Sequence, residues 1–136
     1  MKRWNGWGKD DYLYPMPESA ELYLKRIVGE GKLIPDAKIS KILKKVPTSR
    51  IPASPLISSQ PEQRLRHALG QSLPDWISLR YGTANLFPDG VSFPENEEEI
   101  REIVRYANSH DFHLIPYGGG SSVVGHINIV NSDKPT

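Results

Sequence analysis

Three consecutive glycines, Gly118, Gly119 and Gly120, stand directly after the apolar stretch 112–116 and directly before two serines, Ser121 and Ser122. Glycine combines access to positive φ with the lack of a Cβ, so such a run permits a tight backbone concavity in which several N–H groups converge on one point. A concavity of that kind binds oxyanions. The serine hydroxyls add donors, and a helical turn through Val123 would add its positive end, so the motif suits a pyrophosphate. On spacing alone a structural hairpin or turn explains the run equally well. Two familiar phosphate loops do not fit: no lysine follows the glycines as the Walker loop requires, and Gly118, Gly120 and Gly125 lack the G-x-G-x-x-G spacing.

The residues leading into the glycines narrow the fold. Pro88-Asp89-Gly90 reads as a turn and 91–93 as a short strand, after which Asn96, with Glu99 three positions on, forms a capping-box-like helix start. Glu97, Glu98 and Glu99 lie where the helix dipole favours negative charge. Ile100, Ile103, Val104 and Ala107 recur at i, i+3, i+4 and i+7, which predicts one buried face before the helix ends near 108–111. A second strand over 112–116 then opens into the glycines. Strand, helix and strand over about twenty-five residues follow the grammar of a right-handed βαβ unit with parallel strands.

The first part of the chain reads differently. Twelve prolines and eleven glycines in 136 residues require much turn and extended connection, and they predict a loop-rich first half. Trp4, Trp7, Tyr12 and Tyr14 lie among glycines and prolines without periodicity, as an irregular aromatic segment that packs on something else. A helix is expected over 18–30, stopped by Gly29 and Gly31. A second is expected over 36–46, capped by Asp36, with Ile39, Ile42, Leu43 and Val46 as its apolar stripe. The proline- and serine-rich stretch 47–61 is a linker or surface crossing, followed by short helices around 62–69 and 74–80. The fold class is thus α+β, turning α/β at its C-terminal end, with a helical, loop-rich region over 1–85 and a different unit over 86–136.

Several function classes are excluded. The chain has no cysteine, so disulfides, a thiolate nucleophile and cysteine-ligated metal are ruled out. No apolar run approaches the roughly 18 residues that span a bilayer, and 1–9 is no signal peptide, so a cytoplasmic location is expected. The net charge of +1 conceals +5 over residues 1–50 and −4 over the remainder. Eleven basic residues spread over fifty positions are no nucleic-acid signature, and nucleic acid is not an expected partner. Lys38, Lys41, Lys44 and Lys45 flank the 36–46 helix, and a helix of that kind can lie on an anionic membrane. Packing on its own protein is the favoured reading.

The segment PDGVSFPENEEEIREIVRYANSHDFHLIPYGGGSSVVG, over 88–125, resembles the start of the FAD-binding domain of the vanillyl-alcohol oxidase and p-cresol methylhydroxylase superfamily (the PCMH-type domain). Upstream, RWNGWG over 3–8 and RLRHALGQSLPDWISLRYG over 64–82 resemble the alkyldihydroxyacetonephosphate synthase branch and related FAD-linked oxidases. The resemblance implies FAD as cofactor, and the first βαβ unit of a PCMH-type domain, incomplete, over 86–136. It implies main-chain wrapping of the FAD pyrophosphate by Pro116, Tyr117, Gly118, Gly119, Gly120, Ser121, Ser122 and Val123. The family usually has threonine where Ser121 stands, and the hydroxyl is kept. The resemblance also implies that the remaining strands, the substrate domain and the catalytic tyrosine, arginine and histidines lie beyond Thr136. The chain is accordingly read as an N-terminal piece with no catalytic residue of its own, whose partner is the C-terminal part of the enzyme. A non-catalytic remnant or interaction segment without ligand is the rival reading.

His67, His110, His113 and His126 are the acid–base candidates, but nothing pairs them in a metal spacing, and surface or packing roles are expected. Of these only His126 follows the loop closely enough to approach a cofactor. Asp75 with Arg80 and Glu62 with Arg64 are expected to be solvated charges on short helices. Trp4 and Trp7 are expected to be docking anchors rather than the lining of a lipid tunnel.

Overall fold

The computed structural model describes residues 3–12, 14–32 and 34–136. Five helices are seen among them: α1 Glu18–Val28, α2 Ile39–Leu43, α3 Pro61–Arg66, α4 Leu73–Arg80 and α5 Glu97–His110. Helix α1 carries Glu18 and Glu21 in its first turn and Lys25 and Arg26 in its last, which suits the dipole, and a Lys25–Glu21 ion pair at 3.2 Å. Gly29, at φ +84°, ends it. No α1 residue is buried.

Helix α2 is shorter than its stripe suggests. Asp36 does not cap it. The carboxylate instead accepts from Arg80 Nε at 2.9 Å and from Asn5 Nδ2 at 3.0 Å, and Lys38 stands at the N-cap without a side-chain cap bond. An uncapped short helix depends on packing, and the stripe supplies it. Ile42 is fully buried in a core with Leu65, Ala68, Leu79, Ala84 and Phe87, while Ile39, Leu43 and Val46 pack against its edge beside Trp4. Lys45 turns inward and donates to the Gly82 carbonyl at 2.5 Å, so the basic flank expected along this helix is broken there.

Helices α3 and α4 form the other wall of this core. Pro61 opens α3 at a position where a missing N–H is no loss. In α4, Ser72 Oγ accepts from Asp75 N at 3.2 Å, while the Asp75 carboxylate accepts from Ser72 N at 3.0 Å. The two bonds close a reciprocal capping box.

The C-terminal unit departs from the expected strand–helix–strand in one respect. Helix α5 forms as its caps dictate: Asn96 Oδ1 accepts from Glu99 N at 3.0 Å, and Asp111 closes it in the left-handed region at φ 58°. The Glu99 carboxylate reaches one residue further back than a capping box would, to Glu95 N at 2.8 Å. The expected strands at 91–93 and 112–116 form no ladder with each other. The reason is topological. His113 N donates to Pro135 O at 2.8 Å and Asp89 N to Thr136 O at 2.6 Å, so the segment 135–136 bonds to both. Val91 pairs instead with Ser58, through an antiparallel bridge with bonds of 2.8 and 2.9 Å.

Without a ladder beneath it, the α5 stripe is only partly covered. Ala107 is buried, but Ile100 and Val104 remain 50% and 42% exposed, which corrects the expectation of a fully buried face. The space between α5, Val91, Ile115 and Ile127 is an open apolar cavity of about 370 Å³.

Candidate functional site: an anchored glycine arch

Residues 117–122 form an arch whose feet are both held by the α3–α4 region. At the near foot, Tyr117 Oη donates to Arg66 O at 3.2 Å and the ring meets His67 edge-on, with centroids 4.7 Å apart. Burial pushes the Tyr117 hydroxyl above its ordinary pKa, so it stays a neutral donor. At the far foot, Gln71 N donates to Ser122 O at 2.6 Å. Gly70 makes this contact possible, since a Cβ there would collide with the Ser122 carbonyl.

Between the feet the three glycines differ. Gly118 and Gly119 are exposed, and a side chain added at either would meet open space. Gly120 is buried at φ +68°, and a Cβ would run into the Tyr117 ring and hydroxyl. It alone of the three needs to be glycine for the fold. Pro116, Ser121 and Val123 are exposed, while Ser122 is half-buried, with Oγ 3.0 Å from His126 Nδ1. His126 is thereby engaged with the arch's own serine.

Beyond the arch, Asn128 ties the returning chain to the same helical turn. Its Oδ1 accepts from Gly70 N at 2.9 Å and its Nδ2 donates to Asp75 Oδ1 at 2.7 Å. Asp75, only 4% exposed, therefore caps α4 with one oxygen and holds Asn128 with the other. It is not the solvated charge that its place on a short helix suggests, and Arg80 pairs with Asp36 instead. The sequence does carry one signal for Asp75, the Ser72-x-x-Asp75 box. Nothing local marks Asn128.

A second anchor lies at the other end of the unit. Arg50, inside the stretch read as a linker, donates through Nη2 to Asp89 Oδ2 at 2.8 Å and through Nη1 to the carbonyls of Ser132 and Asp133 at 3.0 and 3.1 Å. Burial alone would raise the pKa of Asp89, which is 3% exposed, but the bonds from Arg50 and from Thr136 N outweigh it and hold the carboxyl below its ordinary value. The bond to Asp89 in turn raises Arg50, against the lowering that burial alone would give. Arg64 is buried as well, at 1% exposure, and donates to Pro88 O at 2.5 Å and to Pro47 O at 2.6 Å; its expected partner, Glu62, pairs with Arg66. Burial lowers the Arg64 pKa.

The other candidates take packing roles. His67 Nδ1 donates to Gln63 O at 2.7 Å, and the His110 ring lies against Tyr106 and Phe112. His113 is exposed. Trp4 packs on the core edge, and the half-exposed Trp7 meets Trp76 edge-on at 6.0 Å.

The match to the family described as an FAD binding domain covers residues 88–133. An alkyldihydroxyacetonephosphate synthase from Dictyostelium discoideum is 37% identical over 73 residues, which span 54% of this chain and 12% of that protein. The Caenorhabditis elegans enzyme of the same name is 25% identical over 97% of this chain and 27% of its own length. A mitochondrial D-lactate dehydrogenase (cytochrome) from Arabidopsis thaliana is 44% identical over 39 residues, 29% of this chain and 7% of that protein. Among solved structures, an alkyldihydroxyacetonephosphate synthase superposes with a TM-score of 0.73 at 22% identity, covering 98% of this chain and 31% of that one. The chain spans less than a third of each of these relatives, and the superposition establishes its fold. Residues 88–133 match the FAD binding domain family, whose cofactor is FAD, and over nearly its whole length the chain is similar to alkyldihydroxyacetonephosphate synthases.

Proposed function

We propose that the arch is the pyrophosphate-binding element for FAD, with Pro116, Tyr117, Gly118, Gly119, Gly120, Ser121, Ser122 and Val123 as its contacts. The observation that carries this reading is the pairing of exposed, Cβ-free backbone at Gly118 and Gly119 with rigid anchorage of both feet. A pyrophosphate needs close approach to main-chain N–H groups, and an ordered loop loses less entropy in providing them. The residues present suit the group: small at the apex, with the Ser121 hydroxyl beside it.

Residues 86–136 then form the start of a PCMH-type FAD-binding domain, its first βαβ unit completed when further strand continues from 135–136. Residues 1–85 are the helical platform that carries the arch. The open apolar face of α5 supports a partner, the remaining polypeptide of the enzyme, which would cover Ile100 and Val104. The cytoplasm is the proposed location, and no described helix is long and apolar enough to cross a membrane. In an intact oxidase of the family a bound flavin would supply two-electron redox chemistry. This chain's own residues bind and orient its phosphates, in a synthase or an oxidase of the family.

The test is FAD titration of the chain and of Gly118→Val and Gly119→Val, followed by flavin fluorescence and by thermal unfolding. Both side chains enter open space, so unfolding should stay at the wild-type temperature while FAD affinity falls about tenfold or more. Wild-type affinity in both variants would overturn the assignment.

A further inference from the structure

The arch is held by a polar relay that crosses from the helical platform to the C-terminal unit. Its members alternate donor and acceptor without a gap: Ser72 N donates to Asp75 Oδ2, Asn128 Nδ2 donates to Asp75 Oδ1, and Gly70 N donates to Asn128 Oδ1. The next amide along, Gln71 N, holds the Ser122 carbonyl. Two consecutive amides of the α3–α4 turn therefore fix residues 122 and 128, the two ends of the segment that brings the chain out of the arch. Asp75 is 4% exposed, so water cannot readily replace a lost partner.

We propose that Asp75 and Asn128 are positioning residues for the phosphate-binding arch, acting as one hydrogen-bonded pair that sets its conformation from the helical platform. This rests on the arch being the FAD site. Neither side chain needs to touch the cofactor. Asp75 orients Asn128 because a carboxylate only accepts, which forces the amide to present Nδ2 to it and leaves Oδ1 for Gly70 N. The order of the relay is thus set by the one member that cannot donate. FAD affinity then depends on one residue far upstream of the glycines and one just beyond them, and ligand binding in turn tightens the contact between platform and arch.

The relay makes a sharp prediction for an exchange of the two side chains. With Asp75→Asn alone, two amides face each other and one contact in the chain must set donor against donor. With Asn128→Asp alone, two carboxylates face each other in a buried site. With both changes, the new amide at position 75 accepts from Ser72 N and donates to the new carboxylate at position 128. That carboxylate still accepts from Gly70 N, so every bond is restored. The experiment measures FAD affinity by flavin fluorescence, amide hydrogen exchange over 118–128, and thermal unfolding, for the 136-residue chain, the two single variants and the exchange variant. Each single variant should weaken FAD on the order of tenfold and speed exchange in the arch beyond any change elsewhere, and the exchange variant should recover both. Single variants with wild-type affinity and arch protection would overturn the proposal, as would an exchange variant that recovers neither. If the wild-type chain binds no FAD while arch protection still falls and recovers in this pattern, the FAD assignment fails and the positioning of the arch stands.

Discussion

Gly120→Ala should be the most damaging single-methyl change in the arch, for two separable reasons. The residue sits at φ +68°, where a non-glycine residue is disfavoured by roughly 1–2 kcal/mol. The added Cβ also falls within the Tyr117 ring, which must leave its place between Arg66 O and His67. Losing that hydrogen bond and edge-on contact costs about 0.5–1.5 kcal/mol each. The total is roughly 2–5 kcal/mol, or a fall in Tm on the order of 10 °C for a chain of this size. Gly118→Ala, which meets open space without a positive φ, should stay within about 0.5 kcal/mol of wild type. Urea denaturation followed by circular dichroism measures both. A double-mutant cycle separates the two causes: with Tyr117→Ala already present the overlap is gone, and Gly120→Ala should retain only the backbone part, about 1–2 kcal/mol. A Gly120→Ala variant as stable as Gly118→Ala, or one whose penalty is unchanged by Tyr117→Ala, would refute the geometry described for the arch.

Because the Asp89 carboxyl is held below its ordinary pKa in the folded chain, its contribution is complete above the ordinary carboxylate range and is lost as pH falls through the folded value. Asp89→Asn should therefore lower stability at pH 7 by about 1–3 kcal/mol and flatten the acid limb of a stability–pH curve, and an unchanged limb would contradict the Arg50 clamp. Covalent members of the superfamily resembling berberine-bridge enzymes attach flavin through a histidine in this loop, at the position of Gly120. Glycine has no nucleophile and Tyr117 occupies the space a side chain would need, so acid precipitation of an FAD-loaded protein should release the flavin; flavin retained on a peptide containing 118–126 would refute this.

Local sequence signals sufficed for what depends on neighbours in the chain. Asn96 and Glu99 determine where α5 begins, the 3.6-residue stripe of Ile39, Ile42, Leu43 and Val46 determines which face of α2 enters the core, and the glycine run marks the place where the backbone takes a positive φ, at Gly120. These rest on capping, periodicity and φ, which act over a few residues. Tertiary structure decided what depends on residues far apart. Asp36 became a partner of Arg80 and Asn5 rather than a cap, because those donors arrive from other segments. Arg50 became a clamp rather than part of a linker, because Asp89 and the carbonyls of 132–134 converge on it. The segments 91–93 and 112–116 did not pair with each other, because Val91 bonds Ser58 and His113 bonds Pro135. Asn128 carries no local mark at all, and its role exists only where Gly70 and Asp75 meet it. A hydrogen-bonding side chain has many equivalent partners within reach of an unfolded chain, and only the packed fold selects among them.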